Sequence, residues 1–400
     1  MTVSRRTFVA SAASAALVRP LSLSSATVQV SDPTRGFDPW LEIDPAALRY
    51  NVNLISRLSG GRPIMAVIKN NAYGLGVSTV AAVLEELPEI MGFAVVKAGA
   101  AITLRDAGIR KPVLLMGLFS DADGPELVSR DIDLILATDD SAERVARAAR
   151  RADRPARVHV YLDTGMSRMG IPYHRALPWL EEAATYGLDV QSTFTGFTEE
   201  PEFDREQLRR FNQVTKTAKE RGFQLGALHA ASSHGVYHLP AAHLDWVRPG
   251  IAIYGAYPSD ADLERPIAEL RPAFSLRARV VRVERLRAGD SVSYGRQYTA
   301  ERATWIATVP VGHTDGYPRQ AVDGAHVLIN GTLYPVIGAV SASHTIVEVG
   351  AERSVAIGDL ATLIGPDHPD IYPNAVAEVT GTSVYDILMH LNPVLPKVVV

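Results

Sequence analysis

The sequence predicts an α/β fold: an N-terminal (β/α)8 barrel followed by a C-terminal, mostly β domain. Three observations predict it. From Trp40 to about Leu270, short β-branched or apolar runs alternate with longer segments of helical period, the signature of βα units around a parallel sheet. Beyond Leu270 the pattern changes to two-residue alternation with Gly-containing turns. The 400 residues, 47% hydrophobic and 21% charged, have globular composition and length enough for two domains.

The chain begins with Ser4-Arg5-Arg6-Thr7-Phe8-Val9, a short small-and-apolar stretch from Ala10 to Val18, and Ser24-Ser25-Ala26 as a small-residue cleavage candidate. That order predicts a twin-arginine-type export signal over residues 1–30 and a periplasmic location, the alternative being a basic tail on a cytoplasmic protein. The apolar stretch is too short to span a bilayer, and no later run is long enough to anchor the chain.

The barrel is predicted over residues 40–270. Its candidate strands include Ile64–Ile68, Phe93–Val96, Val113–Met116, Leu134–Ala137 and Val158–Leu162. Between them Val80–Leu87, Ala98–Ala107, Ser141–Arg151 and Leu177–Tyr186 carry apolar residues at three- and four-residue intervals. Seven or eight such units fit before Pro258, which favours a closed barrel over an open sheet. The β domain is predicted over residues 271–400, from the alternation Arg277–Val283 and the turns Gly289-Asp290 and Asn330-Gly331, with helical character returning near Tyr385–Leu391.

Composition narrows the chemistry. The formal net charge is −4 with both signs scattered, so there is no basic face for nucleic acid or anionic membrane, and a small-molecule partner is expected. With no cysteine, a thiol nucleophile, a disulfide framework and a thiolate zinc site are all excluded. His234, His313 and His344 lack the spacing and acidic company of a metal site, and no metal is expected. Catalysis must use oxygen, nitrogen or a cofactor. Lys69 ends the apolar run Pro63-Ile64-Met65-Ala66-Val67-Ile68 and opens the polar turn Asn70-Asn71-Ala72-Tyr73-Gly74-Leu75-Gly76. On a barrel that places it at the active-site face, where a lysine with its stem among apolar groups has a depressed pKa and can condense with an aldehyde.

This segment closely resembles the cofactor-lysine motif of the alanine racemase family. The resemblance recurs in register through Asp163-Thr164-Gly165-Met166-Ser167-Arg168-Met169-Gly170, Val247-Arg248-Pro249-Gly250-Ile251, Val292-Ser293-Tyr294-Gly295 and Val311-Gly312-His313-Thr314-Asp315-Gly316-Tyr317. It implies pyridoxal 5′-phosphate as cofactor, an amino acid as substrate, and racemisation by two bases. Carried over by motif, it implies Lys69 as the cofactor-bearing lysine and one base, and Tyr294 as the other, reaching across a homodimer with shared active sites. Tyr73, Ser233, Gly250, Ile251 and Tyr385 are implied at the cofactor phosphate, and Arg248 at the pyridine nitrogen. Arg168 and the backbone of Ala342 are implied at the substrate carboxylate. Tyr161 occupies the place of a lysine often modified in the family, and Gly196, Ser232, His313, Ala342 and Ser343 also depart from the family pattern. Those departures leave two other readings open: a cofactor-binding protein that has lost catalysis, and a decarboxylase on a related barrel.

Overall fold

A computed structural model describes residues 32–259, 262–263 and 266–400. The Arg5-Arg6 export pattern lies outside the described residues.

Seven parallel strands run in order around the N-terminal unit: Ile64–Val67, Ile90–Val95, Val113–Leu115, Ile132–Leu136, Arg157–Asp163, Asp189–Phe194 and Ala227–His229. The eighth place is filled by Trp246 and Val247, which bridge in parallel to His229 and to Ile64. Met65 N and Val67 N donate to the carbonyls of Val247 and Pro249, so hydrogen bonding passes from the last stave back to the first and the barrel closes. The predicted helices form over Val77–Glu85, Ala98–Asp106, Ser141–Ala152 and Ala176–Ala184.

Because side chains alternate across a strand, every second residue enters the barrel. Met65, Ala94, Leu114, Ile135, Ala137, Tyr161, Phe194 and Trp246 make one buried interior cluster. The intervening residues, such as Val158, Val160 and Leu162, pack outward into the larger cluster beneath the helices. The interior parity of these strands also carries polar groups: Asp133, His159, Ser192, His229 and Arg248 are all buried.

The second unit is a nine-stranded, mainly antiparallel sheet. Its Asn330-Gly331 turn joins Ile329 to Thr332 with φ of +50° and +78°, the left-handed pair that a two-residue hairpin requires. The alternating stretch at Arg277–Val283 is two strands, Phe274–Arg279 and Arg282–Leu286, interrupted at Val280-Val281. Two helices close the region, Pro373–Val379 and Val384–Met389, the first of which lacks a legible sequence signal.

The barrel range predicted from Trp40 starts differently in the structure. Trp40–Ile43 pairs antiparallel with Phe274–Arg279 and parallel with Lys397–Val399, inside the C-terminal sheet. Trp40, Leu41 and Ile43 are buried there, and Asp44 ends the strand by capping helix Pro45–Leu58 through its carboxylate, which accepts from Ala46 N and Ala47 N. The first strand thus stitches the two units together. Among the described residues no helix is long and apolar enough to cross a membrane.

Candidate active site

Lys69 lies two residues beyond the first barrel strand, at the end where barrel active sites form. The next four residues, Asn70, Asn71, Ala72 and Tyr73, all have positive φ, between +51° and +57°, followed by Gly74 at +91°. A left-handed turn costs L-residues roughly 1–2 kcal/mol each, so the surroundings must impose it. Asn71 Oδ1 accepts from Val77 N at 3.0 Å, Ala72 N donates to Ile68 O at 3.1 Å, and Gly74 N donates to Asn70 O at 3.2 Å. Tyr73 packs on Tyr254 with ring centroids 4.7 Å apart. A side chain at Gly74 would run into Leu388 O, so helix Val384–Met389 presses this turn into place.

The turn sets Lys69 Nζ 5.8 Å from the Tyr73 ring centroid. Burial is the main cause that lowers the Lys69 pKa; the Arg168 charge lowers it further and Glu199 opposes. A fraction of neutral amine, the form that condenses with an aldehyde or takes a proton, is therefore favoured. Burial likewise pushes the Tyr73 phenol up and keeps it a neutral donor.

Arg248 is the buried cation of the barrel interior. Its Nη2 donates to Thr195 O at 2.9 Å, its Nη1 to His229 Nδ1 at 2.5 Å, and its guanidinium carbon lies 4.8 Å from the Phe194 ring centroid. Burial pushes its pKa down to about 10, opposed by Tyr161, which leaves it charged at neutral pH. Two residues on, Gly250 N and Ala252 N donate to Ser233 Oγ at 3.0 and 3.2 Å. That hydroxyl, holding two backbone donors, keeps its own proton for an outside acceptor. Tyr385 joins from the C-terminal unit, its ring 6.3 Å from that of Tyr73.

Gly250 is fixed by space. A Cβ there would lie 2.2 Å from Tyr73 Oη, and Tyr73 cannot retreat because Tyr254 backs it. Gly250→Ala is therefore expected to cost about 1–3 kcal/mol of stability through overpacking and to weaken cofactor binding. Thermal melting and a pyridoxal-phosphate titration measure the two effects, and an unshifted melt would refute the close approach.

Arg168 is exposed at the rim near the Tyr161 phenol, whose pKa is raised by burial, an effect the Arg168 charge opposes. The Tyr161 ring stacks on Phe194 with centroids 4.5 Å apart, and its Oη lies 3.1 Å from where a Cβ at Gly196 would be. The two departures belong together: the phenol occupies the space over Gly196 and stands near Arg168 in place of a lysine. Glu199 is the site residue that sequence reasoning missed. It has φ of +66°, its N–H donates to Asp204 Oδ1 at 3.1 Å, and its charge acts on Lys69, Tyr73 and Tyr385. Protein atoms crowd its partly solvated side chain, and this burial, then the Asp204 charge, raises its pKa. Lying outside the recognisable motifs, it gave no sequence signal.

The remaining predicted residues lie elsewhere on the chain. Tyr294 is 77% exposed on the C-terminal unit, held outward by positive φ at Ser293, Gly295 and Arg296. Ser293 Oγ donates to Ala339 O at 3.1 Å, and Ala342 O accepts from Thr314 N and Thr314 Oγ1, which gathers Tyr294, His313 and Ala342 onto one stretch of surface. His313 Nε2 is 3.0 Å from Arg319, whereas His234 sits in the barrel 3.8 Å from Asp204. The sequence-predicted site therefore falls into two groups, one around Lys69 and Arg248 and one around Tyr294 and Ala342.

The Lys69 group suits pyridoxal phosphate: a partly desolvated lysine, a buried arginine, a hydroxyl with a spare proton, and backbone that only glycine permits beside Tyr73.

Comparison with known proteins agrees. Residues 43–258 match the model of the alanine racemase N-terminal domain, and residues 273–399 that of the alanine racemase C-terminal domain. The chain is 35% identical over 367 residues to the alanine racemase of Carboxydothermus hydrogenoformans, covering 90% of this chain and 99% of that one. It is 34% identical to that of Desulforamulus reducens, over 90% and 98%. Among solved structures, the alanine racemase of Streptomyces coelicolor superposes with a TM-score of 0.83 at 32% identity, over 92% and 100% of the chains. That of Bacillus anthracis, solved with bound L-Ala-P, does so with a TM-score of 0.82 at 28% identity, over 91% and 95%.

Proposed function

The chain belongs to the alanine racemase family and is a pyridoxal-phosphate-dependent amino-acid racemase, and from that premise we propose that Lys69 and Tyr294 are its two proton-transfer groups. Bound pyridoxal phosphate supplies the electron sink that makes the substrate Cα–H acidic. Lys69 Nζ holds or releases a proton on one side of the substrate, aided by its lowered pKa. The Tyr294 phenol does so on the other. Arg248 keeps a fixed positive charge toward the ring nitrogen, and Ser233, Tyr73, Tyr385, Gly250 and Ile251 hold the phosphate. Arg168, near Tyr161, and the backbone N–H of Ala342 orient the substrate carboxylate.

One observation carries this reading: Lys69 with its depressed pKa shares a cluster with Tyr73, Tyr385 and Arg168, while Tyr294 stands exposed on the other unit. A base that faces solvent in one subunit is placed to complete the site of another. A homodimer with shared sites follows, and the Arg5-Arg6 pattern supports export to the periplasm after folding.

The substrate range extends beyond alanine. Ala342 and Ser343 present little side-chain volume, and a pocket separates one methylene from none by only about 1–3 kcal/mol. Glu199 supplies a carboxylate on the barrel side. Basic and neutral polar side chains should therefore be accepted and glutamate disfavoured. Incubating the purified enzyme with single L-amino acids, followed by chiral product analysis, tests activity and range together. Conversion of alanine alone among alanine, serine, methionine, lysine, arginine and glutamate would remove the claim of breadth, and no conversion at all would remove the two-base assignment.

A further inference from the structure

Behind Arg248 the barrel interior holds a row of polar side chains that the reaction as described does not use. His229 Nδ1 lies 2.5 Å from Arg248 Nη1, and His229 Nε2 lies 2.8 Å from Ser192 Oγ. Ser192 Oγ lies 2.5 Å from His159 Nδ1, and His159 Nε2 lies 3.1 Å from Asp133 Oδ2. Four successive contacts thus cross the barrel from its cofactor end to a cavity of about 250 Å³ lined by Asp133, Arg157, His159 and Trp246. Asp133, His159, Ser192 and His229 are each no more than 1% exposed. Strand parity puts them there: each is two residues before Ile135, Tyr161, Phe194 or Ala231, and the first three of these partners line the interior or its stacked rings.

The position of every proton in this row is forced from one end. A guanidinium only donates, so His229 Nδ1 must be a bare acceptor. A neutral His229 then carries its proton on Nε2 and donates to Ser192 Oγ. Ser192, having accepted, turns its own O–H to His159 Nδ1. His159 therefore carries its proton on Nε2 and donates to the Asp133 carboxylate, which Arg157 Nε flanks at 3.3 Å. Burial, then the Arg248 charge, then His159, depress the His229 pKa well below its usual value, which keeps that ring neutral. All four hydrogen bonds run in the same direction and end on a charge, an arrangement in which each bond strengthens the next.

We propose that Asp133, His159 and Ser192 are positioning residues that hold His229 in its Nε2–H tautomer and thereby fix the Arg248 guanidinium in the cofactor site. None of the three touches the reacting atoms. They act through His229, as partners behind a ligand orient the ligand itself. The consequence for the cofactor rests on the assignment of Arg248 given above, but the tautomer chain does not.

The test uses the full-length protein with ¹⁵N-labelled histidine, with and without pyridoxal phosphate. In the cofactor-free protein the ring nitrogens of both His229 and His159 should report an unprotonated Nδ1 and a protonated Nε2. Ser192→Ala, which removes one hydroxyl, and His159→Phe, which keeps a ring beside Trp246, should each remove the single-tautomer signature of His229. Each should also weaken pyridoxal-phosphate binding about tenfold, with Ser192→Thr restoring both readouts. A purely structural role would lower the melting temperature and leave the His229 tautomer alone. His229 protonated at Nδ1 in the parent protein overturns the proposal, as does an unchanged His229 spectrum in both variants. If the spectra change as expected while cofactor binding stays constant in these variants and also in Arg248→Ala, the placement of Arg248 at the cofactor is what fails.

Discussion

Replacing Lys69 by alanine should abolish racemisation in both directions. The reason lies in how the structure prepares this amine. It is partly buried, and that burial together with the Arg168 charge lowers its pKa. The strained turn from Asn70 to Tyr73 fixes where it stands. Loss of a positioned acid–base group alone costs about 10²–10⁴-fold in rate, and loss of the covalent hold on the cofactor adds to this. Lys69→Arg is the discriminating control, because it keeps charge and bulk but never presents a neutral amine near neutral pH. It should be as inactive as Lys69→Ala. Borohydride should fix pyridoxal phosphate covalently to the parent protein at Lys69 and to neither variant, as read by peptide mass. Normal activity in Lys69→Ala, or a reduced adduct on another lysine, would overturn the assignment.

Much of the architecture was written in local pattern. The barrel strands and the four quoted helices agree with the structure to within a few residues, because apolar periodicity and burial are the same fact in a βα unit. Trp40–Ile43 belongs to the C-terminal sheet and not to the barrel its local pattern predicts, because its partners lie at Phe274–Arg279 and Lys397–Val399, and pairing over such separations leaves no local trace. The left-handed run Asn70–Tyr73 was equally hidden, since Ala and Tyr carry no preference for positive φ and the constraint comes from Tyr254 and Leu388.

The candidate site divides along the same line. Lys69, Arg248 and Gly250 sit inside motifs that resemble a known family, and the structure brings them together with Ser233 around one end of the barrel. Glu199 and Tyr161 were opaque as site partners, because their roles depend on what surrounds them: Asp204 bends the chain at Glu199, and Gly196 makes room for the Tyr161 phenol. The row from Asp133 to His229 could be drawn only once the barrel had closed, since its members come from four strands and its direction is set by an arginine from a fifth stave.

Tyr294→Phe should lower racemisation by orders of magnitude while leaving pyridoxal-phosphate binding intact. Tyr294 is 77% exposed in the single chain, so removing one oxygen disturbs no packing within its own subunit, and a large rate loss with assembly and cofactor binding intact comes from the hydroxyl itself. Its outward placement is built in: Ser293 and Arg296 hold positive φ on either side at +62° and +52°. The decisive experiment mixes two dead proteins. Lys69→Ala and Tyr294→Phe subunits, allowed to exchange, would form mixed dimers in which one site has lost both groups and the other retains both. Activity should therefore return, up to about one intact site per mixed dimer, in proportion to the mixed population. The two variants carried on the same chain should stay inactive on mixing with themselves. If subunit exchange is demonstrated by mass and no activity returns, Tyr294 does not serve the neighbouring subunit. If Tyr294→Phe alone retains full activity, the proton on the far side of the substrate is moved by some other group.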